Sequence, residues 1–324
     1  MSSDQRTCAI TIALHDFLQG SDPGSRSFHS AVCGDGSGAD TTPRVRHRHN
    51  PVTVPDTAPY PSLAELRARR AFECRLDPAR ALRSLDDAAE FLDDRGILTR
   101  TADSALPSLF EACHQPPYKA GRGGFADWPE TAYPWFWEIA QRDGVYELSI
   151  HNGKKVLVTA GVAALADPLC RAELARSEAA ESEGARLLRH LSTAGPSGLD
   201  DLKTELEWDA AQLRRVRRPL ERAGALVSHG VTLPAAGGGH AHSSVLARWD
   251  QAFPAPSAGA QPADLLVACV RAAVLAPEAE VGRWFSWTAW PPAGLVDRLV
   301  EQRALARPAP GWISAGSARP RYTR

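Results

Sequence analysis

Lysine is nearly absent. Of 37 basic residues only Lys119, Lys154, Lys155 and Lys203 are lysines, and the sole methionine is Met1. Arginine has taken lysine's place throughout, as in the products of GC-rich genomes, so an isolated arginine carries little functional information. Cysteine is sparse as well, and its six occurrences (Cys8, Cys33, Cys74, Cys113, Cys170, Cys269) show no paired spacing. That excludes a zinc ribbon and a disulfide-framed secreted scaffold and leaves reduced thiols. No apolar run approaches the ~20 residues of a membrane-spanning helix, and the first residues lack the basic-then-apolar order of a secretion signal. An excess of one charge is missing too: 37 basic groups face 38 acidic ones, a net charge of −1, so no global field draws the molecule to a polyanion. There is no phosphate-cradling glycine loop, no Cys-x-x-Cys, no His-Glu-x-x-His and no Gly-x-Ser-x-Gly. No cofactor, metal or membrane partner is therefore expected, and the expected compartment is the cytoplasm.

The chain has 324 residues, 44% of them hydrophobic, enough for about two domains with buried cores. Residues 1–61 differ from the rest, and 20–61 are rich in Gly, Ser, Asp, Pro and Thr with a basic knot at 44–49. They bury too little apolar surface to offset the entropy of ordering and are expected to form a disordered or leader-like extension. Patterning then divides the chain into a helical region with a β-hairpin (62–178), a module at 179–250, a linker at 251–262, a second module at 263–315 and a basic tail at 316–324. The hairpin is read from two β-prone runs, 145–150 and 155–159, flanking His151-Asn152-Gly153-Lys154, where Asn-Gly suits a type I′ turn.

An internal repeat is the most informative feature. Sliding 187–226 by 79 residues without gaps places Leu187, Leu191, Leu202, Leu206 and Trp208 on Leu266, Val270, Val281, Phe285 and Trp287. Val216, Leu220, Ala225 and Leu226 fall on Leu295, Leu299, Ala304 and Leu305. Each copy predicts helix, short helix, turn, helix and strand, with a returning strand at 243–246 or 312–313: the order of a winged helix-turn-helix. Pro291-Pro292 is expected to open the third helix of the second copy. A weaker third copy is expected upstream at an offset of 128, with Leu85, Ala88, Leu92 and Leu98 under Leu213, Val216, Leu220 and Leu226. The expected fold is mainly α with small β wings and a hairpin, an α+β chain of tandem winged helix-turn-helix modules.

In the third helix of the first copy, Leu213, Val216, Leu220 and Ala223 form one stripe. At 100° per residue Arg214, Arg215, Arg218 and Arg222 point the other way. A row of guanidinium groups on an exposed helix face fits a duplex groove, where arginine meets phosphates or a guanine edge. Pro219 either kinks this helix or marks its first turn. The second copy carries Ala293, Gly294, Asp297 and Glu301 at the matching positions, a face not built for phosphates. Lys154 and Lys155 at the hairpin turn are further candidates for gripping a backbone. His240 and His242 in the wing of the first copy are too few for a metal site. Trp135, Phe136 and Trp137 suit a core better than a stacking platform, and Glu138 beside them is the one weak catalytic candidate.

The segment 105–112 (Ala-Leu-Pro-Ser-Leu-Phe-Glu-Ala), Trp135-Phe136-Trp137-Glu138, the following hairpin and the copy at 186–226 resemble the AlkZ (YcaQ) family of bacterial DNA glycosylases. The likeness is greatest to its AlkZ-related branch. The resemblance implies tandem winged helices framing a concave, duplex-sized surface, and double-stranded DNA as partner in repair or self-protection from DNA damage. A DNA-binding protein of this kind is expected at the nucleoid; the sequence does not fix an oligomeric state, and a monomer is the simplest expectation. The family's Gln-x-Gln or Gln-x-Asp motif is replaced here by Asp94-Arg95-Gly96-Ile97-Leu98, and its Trp-x-His-Glu keeps Trp135 and Glu138 but has Trp137 for the histidine. Of the excision machinery only Glu138 carries over. The expectation is a DNA-binding protein with a degenerate glycosylase motif; active excision of alkylated or crosslinked bases and a protein–protein adaptor are the alternatives.

Overall fold

In the computed structural model the described residues are 60–119, 124–234, 240–288 and 290–316. The basic knot at 44–49 and the tail from 317 onward lie outside them. The described residues are mainly helical with three small antiparallel sheets of three strands each. A first helix, α1 (Leu63–Glu73), is started by Ser62, whose hydroxyl accepts from the Glu65 amide while the Glu65 carboxylate accepts from the Ser62 amide, a reciprocal cap.

Three units with the same connectivity follow. In the first, α2 (Leu85–Arg95) is capped by Ser84 and stopped by Gly96 in the left-handed region at φ 74. It leads into β1 (Ile97–Thr99), α3 (Leu109–Ala112), α4 (Trp135–Ala140) and the hairpin of β2 (Val145–His151) with β3 (Lys154–Thr159). Asn152 and Gly153 turn the hairpin with φ of 54 and 78, as the two positive torsions of a type I′ turn require. A long helix, α5 (Ala160–Ala179), then joins the second unit: α6 (Glu183–Ala194), β4 (Ser197–Gly198), α7 (Leu199–Glu205), α8 (Ala210–Ala223), β5 (Leu226–Pro234) and β6 (His240–Arg248). After the short α9 (Trp249–Ala252), the third unit runs α10 (Pro262–Ala273), β7 (Leu275–Pro277), α11 (Glu278–Val281), α12 (Leu295–Glu301), β8 (Leu305–Ala309) and β9 (Trp312–Ala315). In all three sheets the hairpin's returning strand lies in the middle, between the short first strand and its hairpin partner.

The 79-residue offset carries α6 onto α10 end to end and the starts of α7 and β5 onto those of α11 and β8. The 128-residue offset is overturned. It equates α2 with α8, whereas α2 is the first helix of its unit and the third place belongs to α4. Both α2 and α8 are amphipathic helices running into a strand, and apolar spacing cannot tell them apart. Pro219 lies inside α8, which starts at the Asp209 cap, so it does not mark a helix start. Pro291-Pro292 precede α12 rather than opening it; Gly294, in the left-handed region, holds the cap.

Strand β3 alternates between two cores. Val156 and Val158 join a large cluster shared by all three units, while Leu157 joins a smaller one with Phe91, Leu109, Phe136 and Ile139. Period-two alternation of side chains makes this double burial possible. The large cluster runs along α5 through Ala163, Ala166, Cys170 and Leu174. Gly224, which ends α8, meets it at close quarters: a Cβ there would stand 2.6 Å from Cys170 Sγ and 3.2 Å from Ile150 Cγ2, at φ 73. Gly311 has a similar φ of 76 but open space around it. In Gly311→Ala only the left-handed torsion counts, about 1 kcal/mol. Gly224→Ala adds a steric clash and is expected to cost at least about 2 kcal/mol more in urea unfolding. Equal losses would contradict the packing described.

Candidate nucleic-acid interface

Helix α8 is built as its sequence requires. Leu213, Val216 and Leu220 are buried, Arg214, Arg215, Arg218 and Arg222 are exposed, and the Asp209 carboxylate accepts from the Gln212 amide at 2.7 Å. Trp287 of the third unit closes the far end, its indole N–H donating to the Ala223 carbonyl at 2.9 Å. The helix thus enters the interior by one face and is pinned at both ends.

An open groove of about 2660 Å³ runs beside it, lined by the first two units, by Ala160 and Glu173 of α5, by Ala252 and Phe253, and by Ser286 and Thr288 of the third unit. Arg215, Arg218 and Arg222 line it; Arg214 does not. Arg215 is 71% exposed and pairs with Glu183 at 3.0 Å. Among the described residues Arg214, Arg218 and Arg222 have no ion pair, and the Arg222 stem crosses the hairpin turn, where a Cβ on Gly153 would touch its Cγ and Cδ at 3.2 Å. Two guanidinium groups, Arg218 and Arg222, therefore face the groove with no carboxylate to neutralise them.

The hairpin lysines part company. Its tip is docked, not free: Ser286 donates its amide to the Ile150 carbonyl at 2.9 Å, the Asn152 amide side chain donates to the Arg283 carbonyl, and His151 Nδ1 meets the Trp284 carbonyl at 2.6 Å. Lys154, turned out of the groove, pairs with Asp103. Burial alone would raise the Asp103 pKa, but hydrogen bonds from Lys154 and Thr101 bring it below the ordinary value. Lys155 does line the groove, where it pairs with the Glu147 carboxylate at 3.0 Å and reaches the Ser228 carbonyl of β5 at 3.5 Å. It ties the first sheet to the second and is already neutralised.

Glu147, only 7% exposed at its side chain, was not singled out by sequence reasoning, nor were its neighbours Arg100 and His229. A signal existed: Glu147, Ser149 and His151 occupy alternate positions of β2, the mark of a strand with one polar face. Arg100 lies over the Trp128 ring at 4.4 Å, and burial lowers its pKa against the pull of Glu147. Glu138 is exposed in the groove next to Trp137, while Phe136 is wholly buried and Trp135 is half-buried against the same core. His242 lines the groove, and His240 is outside the residues whose side chains are described. In all, seven cationic and five carboxylate side chains line it, so the groove is positive in a chain whose net charge is −1.

Burial pushes His151 and His229 below the usual histidine pKa, with the Trp284 carbonyl and Glu147 partly opposing in turn. Both therefore take up a proton less readily in the folded chain than in the unfolded one, which binds the extra protons as pH drops below about 6.5. Stability is expected to be full above that value and to fall as pH is lowered through it towards the folded-state pKa. Urea midpoints measured from pH 7.5 to 5.5 check this, and the drop should be shallower in His151→Gln with His229→Gln.

Comparison with known proteins supplies no neighbour: no family model, no curated protein and no solved structure matches the chain. Among the described residues no helix is long and apolar enough to cross a membrane.

Proposed function

We propose that the protein binds double-stranded DNA in this groove, through three tandem winged-helix units of which the second supplies the phosphate-gripping helix. What supports the winged-helix reading is the thrice-repeated order of helix, short strand, two helices and hairpin, with the returning strand pairing to the first. The observation that carries the DNA reading is the pair Arg218 and Arg222, exposed, unpaired and lining a groove far larger than the roughly 300–1,000 Å³ of a small-molecule site. On α12 the corresponding face is acidic and Arg307 neutralises Asp297 at 2.6 Å, so the third unit braces the first two instead of gripping phosphates. This reading places the protein beside the AlkZ-related branch, working in the cytoplasm at the nucleoid.

Titrating a short duplex at several salt concentrations tests it. The logarithm of affinity is expected to fall linearly with the logarithm of salt, with a slope of roughly −2 to −4 for two to four neutralised phosphates. Absence of binding at low salt would leave the adaptor reading in its place. A second reading, base excision, is favoured by Glu138 standing exposed in the same groove. It requires abasic sites to accumulate in alkylated duplex and to disappear in Glu138→Gln; intact substrate from the native protein would end it.

A further inference from the structure

Four large apolar side chains are well exposed among the described residues: Tyr60, Phe72, Tyr118 and Phe125. Two have occupations of their own. The Arg80 guanidinium covers the Phe72 ring at 3.6 Å, and the Tyr60 hydroxyl donates to the Ala315 carbonyl at 2.7 Å. Tyr118 packs edge-on against Phe125 at 5.9 Å, which leaves the 46%-exposed Phe125 ring facing the groove.

Phe125 is not a stray ring. Its centroid lies 4.8 Å from that of Trp128 and 5.2 Å from that of Tyr133, and Trp128 lies 5.5 Å from Trp137. All four rings line the groove, and Arg100 lies against Trp128 from within. The sequence suggests a core for Trp135, Phe136 and Trp137, and Phe136 and Trp135 do pack there. Trp137 joins Phe125, Trp128 and Tyr133 in a continuous aromatic strip along the groove, with Trp128 and Tyr133 also resting on that core.

A fully paired duplex has little use for such a strip, because its bases are stacked on each other and present only their edges and phosphates. An unpaired base turned out of the stack offers a free π-face, and aromatic side chains hold such faces whatever the base. The cationic residues of the same groove supply the phosphate contacts that would carry the flanking duplex. We propose that the Phe125–Trp128–Tyr133–Trp137 strip is a stacking site for an extrahelical base, so that the protein prefers duplex DNA containing an unpaired nucleotide. This inference rests on the duplex-binding reading and adds its preferred substrate.

The experiment compares one duplex with the same duplex carrying a single central extrahelical 2-aminopurine, at one salt concentration. Native protein is expected to bind the bulged form at least about fivefold more tightly, at the lower end of what one stacked base contributes. The 2-aminopurine fluorescence should be quenched on binding. Phe125→Leu, at an exposed position, should remove both the preference and most of the quenching, and Phe125→Trp should restore them. In Arg218→Ala with Arg222→Ala both affinities should drop while their ratio persists. Equal affinity for the two duplexes overturns the inference and leaves duplex binding standing. A preference unchanged in Phe125→Leu also overturns it, since the bulge would then be favoured for its bendability alone. Failure to bind either duplex removes the inference together with the reading beneath it.

Discussion

Replacing Arg214, Arg215, Arg218 and Arg222 with alanine together is expected to weaken duplex binding by on the order of 100-fold at moderate salt and to flatten the salt slope by about 2–3. The four do not contribute equally. Arg218 and Arg222 face the groove unpaired, so each single substitution should lower the slope by about 1. Arg215 must first give up Glu183, a contact between two exposed groups that is itself worth little. Its loss should fall between those of the groove pair and Arg214, whose side chain lies off the groove. The effect should be uniform across sequences, as expected for phosphate contacts. Folding should be untouched, because all four side chains are exposed. A uniform loss at all four positions, Arg214 included, would mean that the duplex does not lie where the groove places it.

The largest expected loss of stability is at Asp167, a carboxylate 1% exposed on the central helix α5. Its Oδ1 accepts from the Trp249 indole N–H at 2.7 Å and from Arg171 Nε at 2.7 Å; Oδ2 accepts from the Ser257 amide at 2.8 Å. Arg171 passes the connection on, donating to the Phe253 carbonyl at 2.6 Å. One side chain thus fastens the stretch after the second unit to the helix around which the units pack. Removing it leaves the wholly buried Trp249 indole N–H without its acceptor and frees the Ser257 amide and Arg171 Nε, although Arg171 keeps the Phe253 carbonyl. Losing such a buried acceptor costs about 3 kcal/mol. Asp167→Ala should show that loss in urea unfolding. Asp167→Asn keeps the shape and part of the acceptor capacity and should lose less. A change below about 1 kcal/mol for Asp167→Ala would show that water satisfies these groups after all.

What was legible in the sequence was local. The hairpin could be read because Asn152-Gly153 meets the torsional demand of its turn, and α6 to α8 because their apolar spacing repeats 79 residues on. The first unit was harder. Its second and third helices have only four and six residues and are separated by a long Gly/Pro-rich stretch, too short a span for periodicity to show. Of the prolines, Pro219 lies within its helix, the first of the two placements its sequence allows, whereas Pro291-Pro292 mislead: they stand before α12, whose cap falls on Gly294. The groove itself is a product of packing between units, and nothing near Arg214 in sequence distinguishes it from Arg218. The pairing of Lys154 with Asp103 and of Lys155 with Glu147 likewise depends on where the docked hairpin comes to rest. Charge patterns give the face of a helix; they do not give what that face meets.

Hydrogen exchange across the chain, with and without saturating duplex, reaches the central claim most directly. Slowed exchange is expected in α8, in β2 and at the loop and helix bearing Phe125 to Glu138, with α12 unchanged. Protection centred on α12, or none anywhere at a duplex concentration that saturates binding, would contradict the account.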